Sequence, residues 1–79
     1  MNVNVLFFGM IAEALKCNVY PVVNFEGKTV GELEDYLRTK LPDLSAFTYQ
    51  IALDQTLADR SEKIVRNCEV AFLPPFAGG

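Results

Sequence analysis

The sequence predicts an α+β domain in which a mixed sheet of about five strands carries one main helix on one face. Three observations lead there. Apolar stretches of two-residue period stand at both ends of the 79-residue chain, "NVNVLFF" and "EVAFL". A single stretch, 29–41, has a clear helical period. The order that results, strand, strand, helix, strand, short strand, strand, is satisfied by sequential hairpins and one right-handed crossover.

Taken in order, the first strand places Val3, Val5 and Phe7 on one face and Leu6 and Phe8 on the other, and Gly9 ends it. "MIAEAL", Met10 to Leu15, has the helix formers for a turn or two. A second strand is expected over Val19 to Phe25, with Pro21 assigning it to a sheet edge because proline lacks a ladder donor. Glu26, Gly27 and Lys28 form a turn. Thr29 and Glu32 then have capping-box spacing, and Val30, Leu33, Leu37 and Leu41 make one apolar stripe. The carboxyls of "ELED", 32–35, read as a solvated helix start that complements the dipole, with Arg38 and Lys40 near the other end. Pro42 stops the helix.

"PDLSAF" reads as a loop, and "YQIALD" alternates Tyr49, Ile51 and Leu53 against Gln50, Ala52 and Asp54. Asp54 and Gln55 turn the chain back into a short strand. "ADRSEK" is a surface connection from which Ile64 and Val65 tuck inward. The last strand puts Val70 and Phe72 on one face and Ala71 and Leu73 on the other. The first and last strands, the most apolar, belong side by side at the centre.

Composition narrows the function. Hydrophobic residues make up 51% and charged residues 22%, which suits a packed core, and a net charge of −3 with scattered basic residues argues against nucleic acid or an anionic membrane as partner. Histidine is absent, so no Ser-His or Cys-His pair exists, and Cys17 and Cys68 are too few for a zinc site. The two cysteines read as small apolar fillers. Without a basic start and apolar run at the front, the chain is expected to be cytoplasmic with reduced thiols.

A single helix covers only one sheet face. The opposite face would carry Leu6, Phe8, Ala71 and Leu73, a patch of the kind that marks an interface unless the short first helix or the 42–48 loop folds over it. The domain is then 1–73, and 74–79, "PPFAGG", is a projecting C-terminal tail. Pro74 and Pro75 end the pairing and favour an extended polyproline II exit. Phe76 suits a pocket in a partner, and Gly78 and Gly79 suit a narrow channel in which a terminal carboxylate must be approached closely. That carboxylate is the one group placed for chemistry.

"VLFFGMIAEAL", "TVGELEDYL", "IALDQTL" and above all "EVAFLPPFAGG" resemble the MoaD family, the small subunits of molybdopterin synthase, over essentially the whole chain. The resemblance implies a ubiquitin-like β-grasp fold and a sulfur carrier. Gly79 would be adenylated by a MoeB-like activating enzyme that uses ATP and magnesium, then converted to a thiocarboxylate by a sulfur donor. With Gly78 for clearance and Pro74, Pro75, Phe76 and Ala77 as the threading segment, the tail would enter a MoaE-like large subunit. Two small and two large subunits would form a heterotetramer that converts cyclic pyranopterin monophosphate to the dithiolene of molybdopterin. Phe8 and Leu73 fall at positions that the family uses against the large subunit, and this chain itself binds no cofactor. Asp54 stands where relatives have Asn, and "NCEV" where many have Gly-Asp-Glu-Val, with Asn67 expected to take up the turn.

Three other readings stay open on the residues. A ThiS-like carrier for thiamin shares the Gly-Gly end, a ubiquitin-related modifier would form isopeptide bonds, and a pure docking module would use the tail without chemistry.

Overall fold

The computed structural model describes residues 1–75. Its elements are β1 (Val3–Phe7), α1 (Gly9–Leu15), β2 (Val19–Val22), α2 (Val30–Lys40), a 3₁₀ turn (Pro42–Ala46), β3 (Gln50–Leu53), β4 (Thr56–Ala58) and β5 (Cys68–Leu73). The five strands form one sheet in the order β2-β1-β5-β3-β4. β1 and β5 run parallel at its centre, and the other pairings are antiparallel. This is the mixed sheet with one main helix that the apolar periodicity predicts.

Alternation decides which face is filled. Val3, Val5 and Phe7 of β1 and Val70 and Phe72 of β5 are buried, together with Val30, Leu33 and Leu37 along α2. Phe72 is the hub, with the Phe7 ring 5.4 Å away and the Tyr49 ring edge-on at 4.9 Å.

The start of α2 is capped as its spacing requires, with the Thr29 hydroxyl accepting from the Glu32 amide at 3.1 Å. The reciprocal bond reaches one residue further back than a strict capping box, since Glu32 Oε2 accepts from the Lys28 amide at 3.1 Å. The next two orphan donors go to the 59–64 connection: the Val30 amide donates to the Glu62 carbonyl at 2.9 Å and the Gly31 amide to that of Arg60 at 3.0 Å. A largely polar connection is thus fixed to the helix by backbone bonds, with Ile64 at its end anchored in the core.

Several expectations are corrected. β2 ends at Val22, not Phe25, because Asn24 turns the backbone to φ 59° and swings the Phe25 ring into the core. Pro21 does lie on an edge strand. Ile64 is buried, but Val65 is 73% exposed and does not tuck inward. The "PDLSAF" loop contains the 3₁₀ turn, whose Leu44 is fully buried. Asn67 does not adopt the left-handed conformation; its side-chain oxygen instead accepts from the Asn2 amide at 2.9 Å. Asp54 and Gln55, at φ 47° and 71°, do form the two-residue hairpin turn between β3 and β4.

Leu44→Ala is expected to lower unfolding free energy by about 2–5 kcal/mol, the usual cost of a core cavity. Urea denaturation reads this as a lower midpoint at unchanged slope. An unchanged midpoint would show that the turn contributes nothing to the core.

The "ELED" segment is not uniformly solvated. Glu34 is 5% exposed and holds three partners: the guanidinium of Arg38 at 3.2 Å, the Tyr49 hydroxyl and the guanidinium of Arg60. Its buried carboxylate is therefore fully paired, which is what makes its position tolerable. Arg60 also reaches Asp35 at 3.0 Å, and its hydrogen bond holds that exposed carboxyl below the ordinary aspartate value.

The sign of the pH effect follows. A lowered native value contributes stability that is complete above the unfolded value and lost as pH falls through the native one. Arg60→Ala should therefore flatten the loss of stability on acidification through the aspartate range. The same acid-side slope in variant and parent, by denaturation at several pH values, would contradict that.

Candidate functional site at the open sheet face and tail exit

The sheet face turned away from α2 is built by register. Val19 of β2 pairs with Leu6, Leu6 with Ala71, Ala71 with Ala52, and Ala52 with Leu57 of β4. A single apolar row therefore crosses all five strands, spanning about 19 Å at the usual strand spacing. Val19 and Leu57, at its two ends, are 53% and 61% exposed. Neither short helix covers this row. Ile11 of α1 and Leu44 of the 3₁₀ turn instead join the core cluster on the α2 side.

A second row lies toward the tail. Phe8 occupies the N-cap of α1 with extended backbone, φ −129° and ψ 159°, so it continues the alternation of β1 onto the open face. Its ring is 44% exposed, and the parallel register sets it one step past the Phe7–Phe72 pair, beside Leu73. Leu73 is half-buried and makes the last pair of β5, with Gln50. Pairing then stops at two residues that have no amide hydrogen to offer.

The exit is shaped by Gly9. Its φ of +59° is one that L side chains rarely adopt, and a Cβ there would stand 3.1 Å from Pro74 Cγ. Pro74 is half-buried against this turn, and Pro75 is exposed. Phe8, Leu73, Pro74 and Pro75, predicted as partner-binding residues, thus converge at one end of β1 and β5. Phe76, Ala77, Gly78 and Gly79 lie outside the described residues.

Sequence reasoning missed Val19 and Leu57. Leu57 stands in a short polar neighbourhood and Val19 opens a stretch that is apolar on both sides, so only strand pairing aligns them with Leu6 and Ala71. Side-chain chemistry is sparse by comparison. Among the described residues no group of three or more acidic, cysteine or histidine side chains is arranged to hold a metal ion. Cys17 and Cys68 are free and half-buried, and burial, aided by the Asp54 carboxylate, pushes the Cys68 thiol up and away from nucleophilic use. No helix among these residues is long and apolar enough to cross a membrane. The arrangement is suited to docking a partner on an apolar face and directing the chain that follows Pro75.

Comparison with known proteins agrees with this geometry. The ThiS family model matches residues 5–79. The molybdopterin synthase sulfur carrier subunit of Mycobacterium tuberculosis is 39% identical over 84 aligned positions, covering 100% of this chain and 99% of that protein. Among solved structures, SAMP1 from Haloferax volcanii superposes with a TM-score of 0.82 at 22% identity, with full coverage of both chains, a likeness of fold. A complex of subunits 1 and 2 of the molybdopterin-converting factor from Helicobacter pylori contains a chain matched at TM-score 0.71 and 26% identity, again with 100% of each covered.

Proposed function

Because the chain belongs to the ThiS family, we propose that it is the sulfur-carrying small subunit of a molybdopterin synthase, contributing the sulfur donor to an active site completed by a larger partner. The observation that carries this reading is the full-length match to a molybdopterin synthase sulfur carrier subunit. The open face and the tail exit give it a physical basis, since docking and delivery are the tasks they suit.

The chemistry falls to Gly79. Its carboxylate is a poor acyl donor until an activating enzyme of the MoeB kind joins it to the adenylyl group of ATP, with magnesium, and releases pyrophosphate. A sulfur donor then displaces AMP and leaves a thiocarboxylate. The tail, 74–79, presents that sulfur inside a MoaE-like large subunit, where two transfers convert cyclic pyranopterin monophosphate to a dithiolene. Each transfer returns Gly79 to the carboxylate. Residues of this chain do the placing: Phe8, Leu73 and the row ending at Leu57 seat the large subunit, and Pro74 and Pro75 end the strand pairing so that the chain leaves the sheet. Gly78 leaves room at the channel, and the acids and bases of the reaction come from the large subunit. Two copies of each subunit complete the assembly.

The test is to present the thiocarboxylated chain, separately, to a molybdopterin-type large subunit with its pterin substrate and to the acceptor of thiamin synthesis. Sulfur is expected in the dithiolene only. Transfer solely to the thiamin acceptor would assign the carrier to that pathway instead.

A further inference from the structure

Beside the tail exit, on the α1 side, lies an apolar groove of about 290 Å³ lined by Met10, Ile11, Phe47, Thr48, Pro74 and Pro75. Ile11 forms its floor at 2% exposure, while Met10, at 73%, stands open on its rim. Phe47 packs partly against the core and turns its remaining surface to the groove. The open sheet face does not include it. Leu73 belongs to that face, whereas Pro74, the next residue, lies against the Gly9 turn and lines the groove. The two surfaces therefore flank the root of the tail.

We propose that the groove is a second docking surface for the large subunit, filled by an uncharged, apolar side chain at the rim of the channel that receives the tail. The proposal rests on the carrier reading above and adds a contact that the sheet face cannot supply. A channel that admits the chain beyond Pro75 has walls on every side of it, so its rim meets the carrier both at Phe8 and Leu73 and across the exit, where the groove lies. Continuity supports the same partner. Met10 follows Phe8 by two residues and Pro74 follows Leu73 directly, so a surface seated on the one pair borders the other.

The lining sets the chemistry of what enters. Five of its six residues are apolar, and Thr48 brings the one hydroxyl. A charged side chain would lose its hydration there and find no counter-ion, whereas an aliphatic or aromatic one removes apolar surface from water on both sides. Pro74 and Pro75 have no amide hydrogen, so the wall toward the tail cannot donate to an added strand and the contact is made by side chains.

The test uses the full chain with a molybdopterin-type large subunit as the probe. Met10→Asp is expected to lower the affinity by at least about tenfold, because its carboxylate is desolvated without a partner, and Met10→Leu to hold it within a few-fold of the parent. The aspartate would stand in the first turn of α1, where a carboxylate is favourable, so the urea midpoint of the carrier alone should not fall. With methyl-labelled carrier and unlabelled large subunit, intermolecular cross-relaxation is expected at the methyls of Met10 and Ile11. Parent affinity in Met10→Asp, or no intermolecular contact at these methyls, would overturn the proposal. So would groove methyls that shift when the carrier alone is concentrated, which would give the groove to a second copy, or when residues 76–79 are removed from the free carrier, which would give it to the tail. Phe8→Asp keeps the two readings apart. If it breaks the complex while Met10→Asp does not, only the groove assignment fails; if the parent itself does not bind the large subunit, the carrier reading fails with it.

Discussion

Deletion of Gly79 is expected to abolish ATP-dependent sulfur loading, by at least roughly a hundredfold, while leaving the domain folded and still able to dock. The deleted chain retains a carboxylate, on Gly78, so the loss does not come from missing chemistry alone. It comes from reach. One residue shortens an extended arm by about 3.3–3.6 Å, whereas acyl activation needs the reacting atoms within about 3–3.5 Å and loses roughly a hundredfold for 1 Å of misplacement. The core contains none of the deleted atoms, since Phe72, Val70 and their neighbours are buried upstream of Pro74. Circular dichroism and a binding titration with the large subunit should therefore match the parent. If the deleted chain is loaded at the parent's rate, tail length does not govern activation and the role assigned to Gly79 is excluded.

Phe8→Asp is expected to weaken the large-subunit complex by at least about 10–100-fold. Fully burying an exposed phenylalanine contributes roughly 1.5–3 kcal/mol, of which Phe8, at 44% exposure, has somewhat under half left to gain; each 1.4 kcal/mol is about tenfold in affinity, and the desolvation cost of a carboxylate facing an apolar partner supplies the rest. Phe8 is 44% exposed at the end of β1, so the isolated domain should keep its denaturation midpoint. Leu73→Asp should also break the complex. Its side chain is half-buried on a central strand, however, so some loss of monomer stability is expected as well. Calorimetry against the large subunit, paired with urea denaturation of the carrier alone, separates the two effects. Should Phe8→Asp unfold the carrier, that ring belongs to the core and the open face is not the docking surface.

The parts of the fold that local pattern controls were legible in the sequence. Thr29 and Glu32 marked the start of α2, the alternation around Val5 and Val70 fixed which faces of β1 and β5 are buried, and Pro21 marked an edge. What stayed hidden depends on contacts between distant residues. Glu34 looked like one more carboxylate at a helix start, and its burial is decided by Arg60, 26 residues away, and Tyr49, 15 away. Leu44 sits in a segment too short to show a period. Val65 follows the buried Ile64, yet the connection turns it outward.

The site divides along the same line. Phe8, Leu73 and the prolines could be placed because they continue strands whose phase was known. Leu57 and Val19 could not, because their alignment with Leu6 exists only in the register of paired strands. The groove at Met10 and Phe47 is formed by residues 37 positions apart and had no trace in composition or spacing.

The most direct test of the carrier account is the intact mass of the protein after incubation with ATP, magnesium, an adenylating enzyme and a sulfur donor, with fragments mapped along the chain. The account predicts the mass of one oxygen-to-sulfur exchange, located at Gly79. An unchanged mass, under conditions in which the same enzyme loads a known carrier, would contradict it and leave a module that docks through its open face without chemistry.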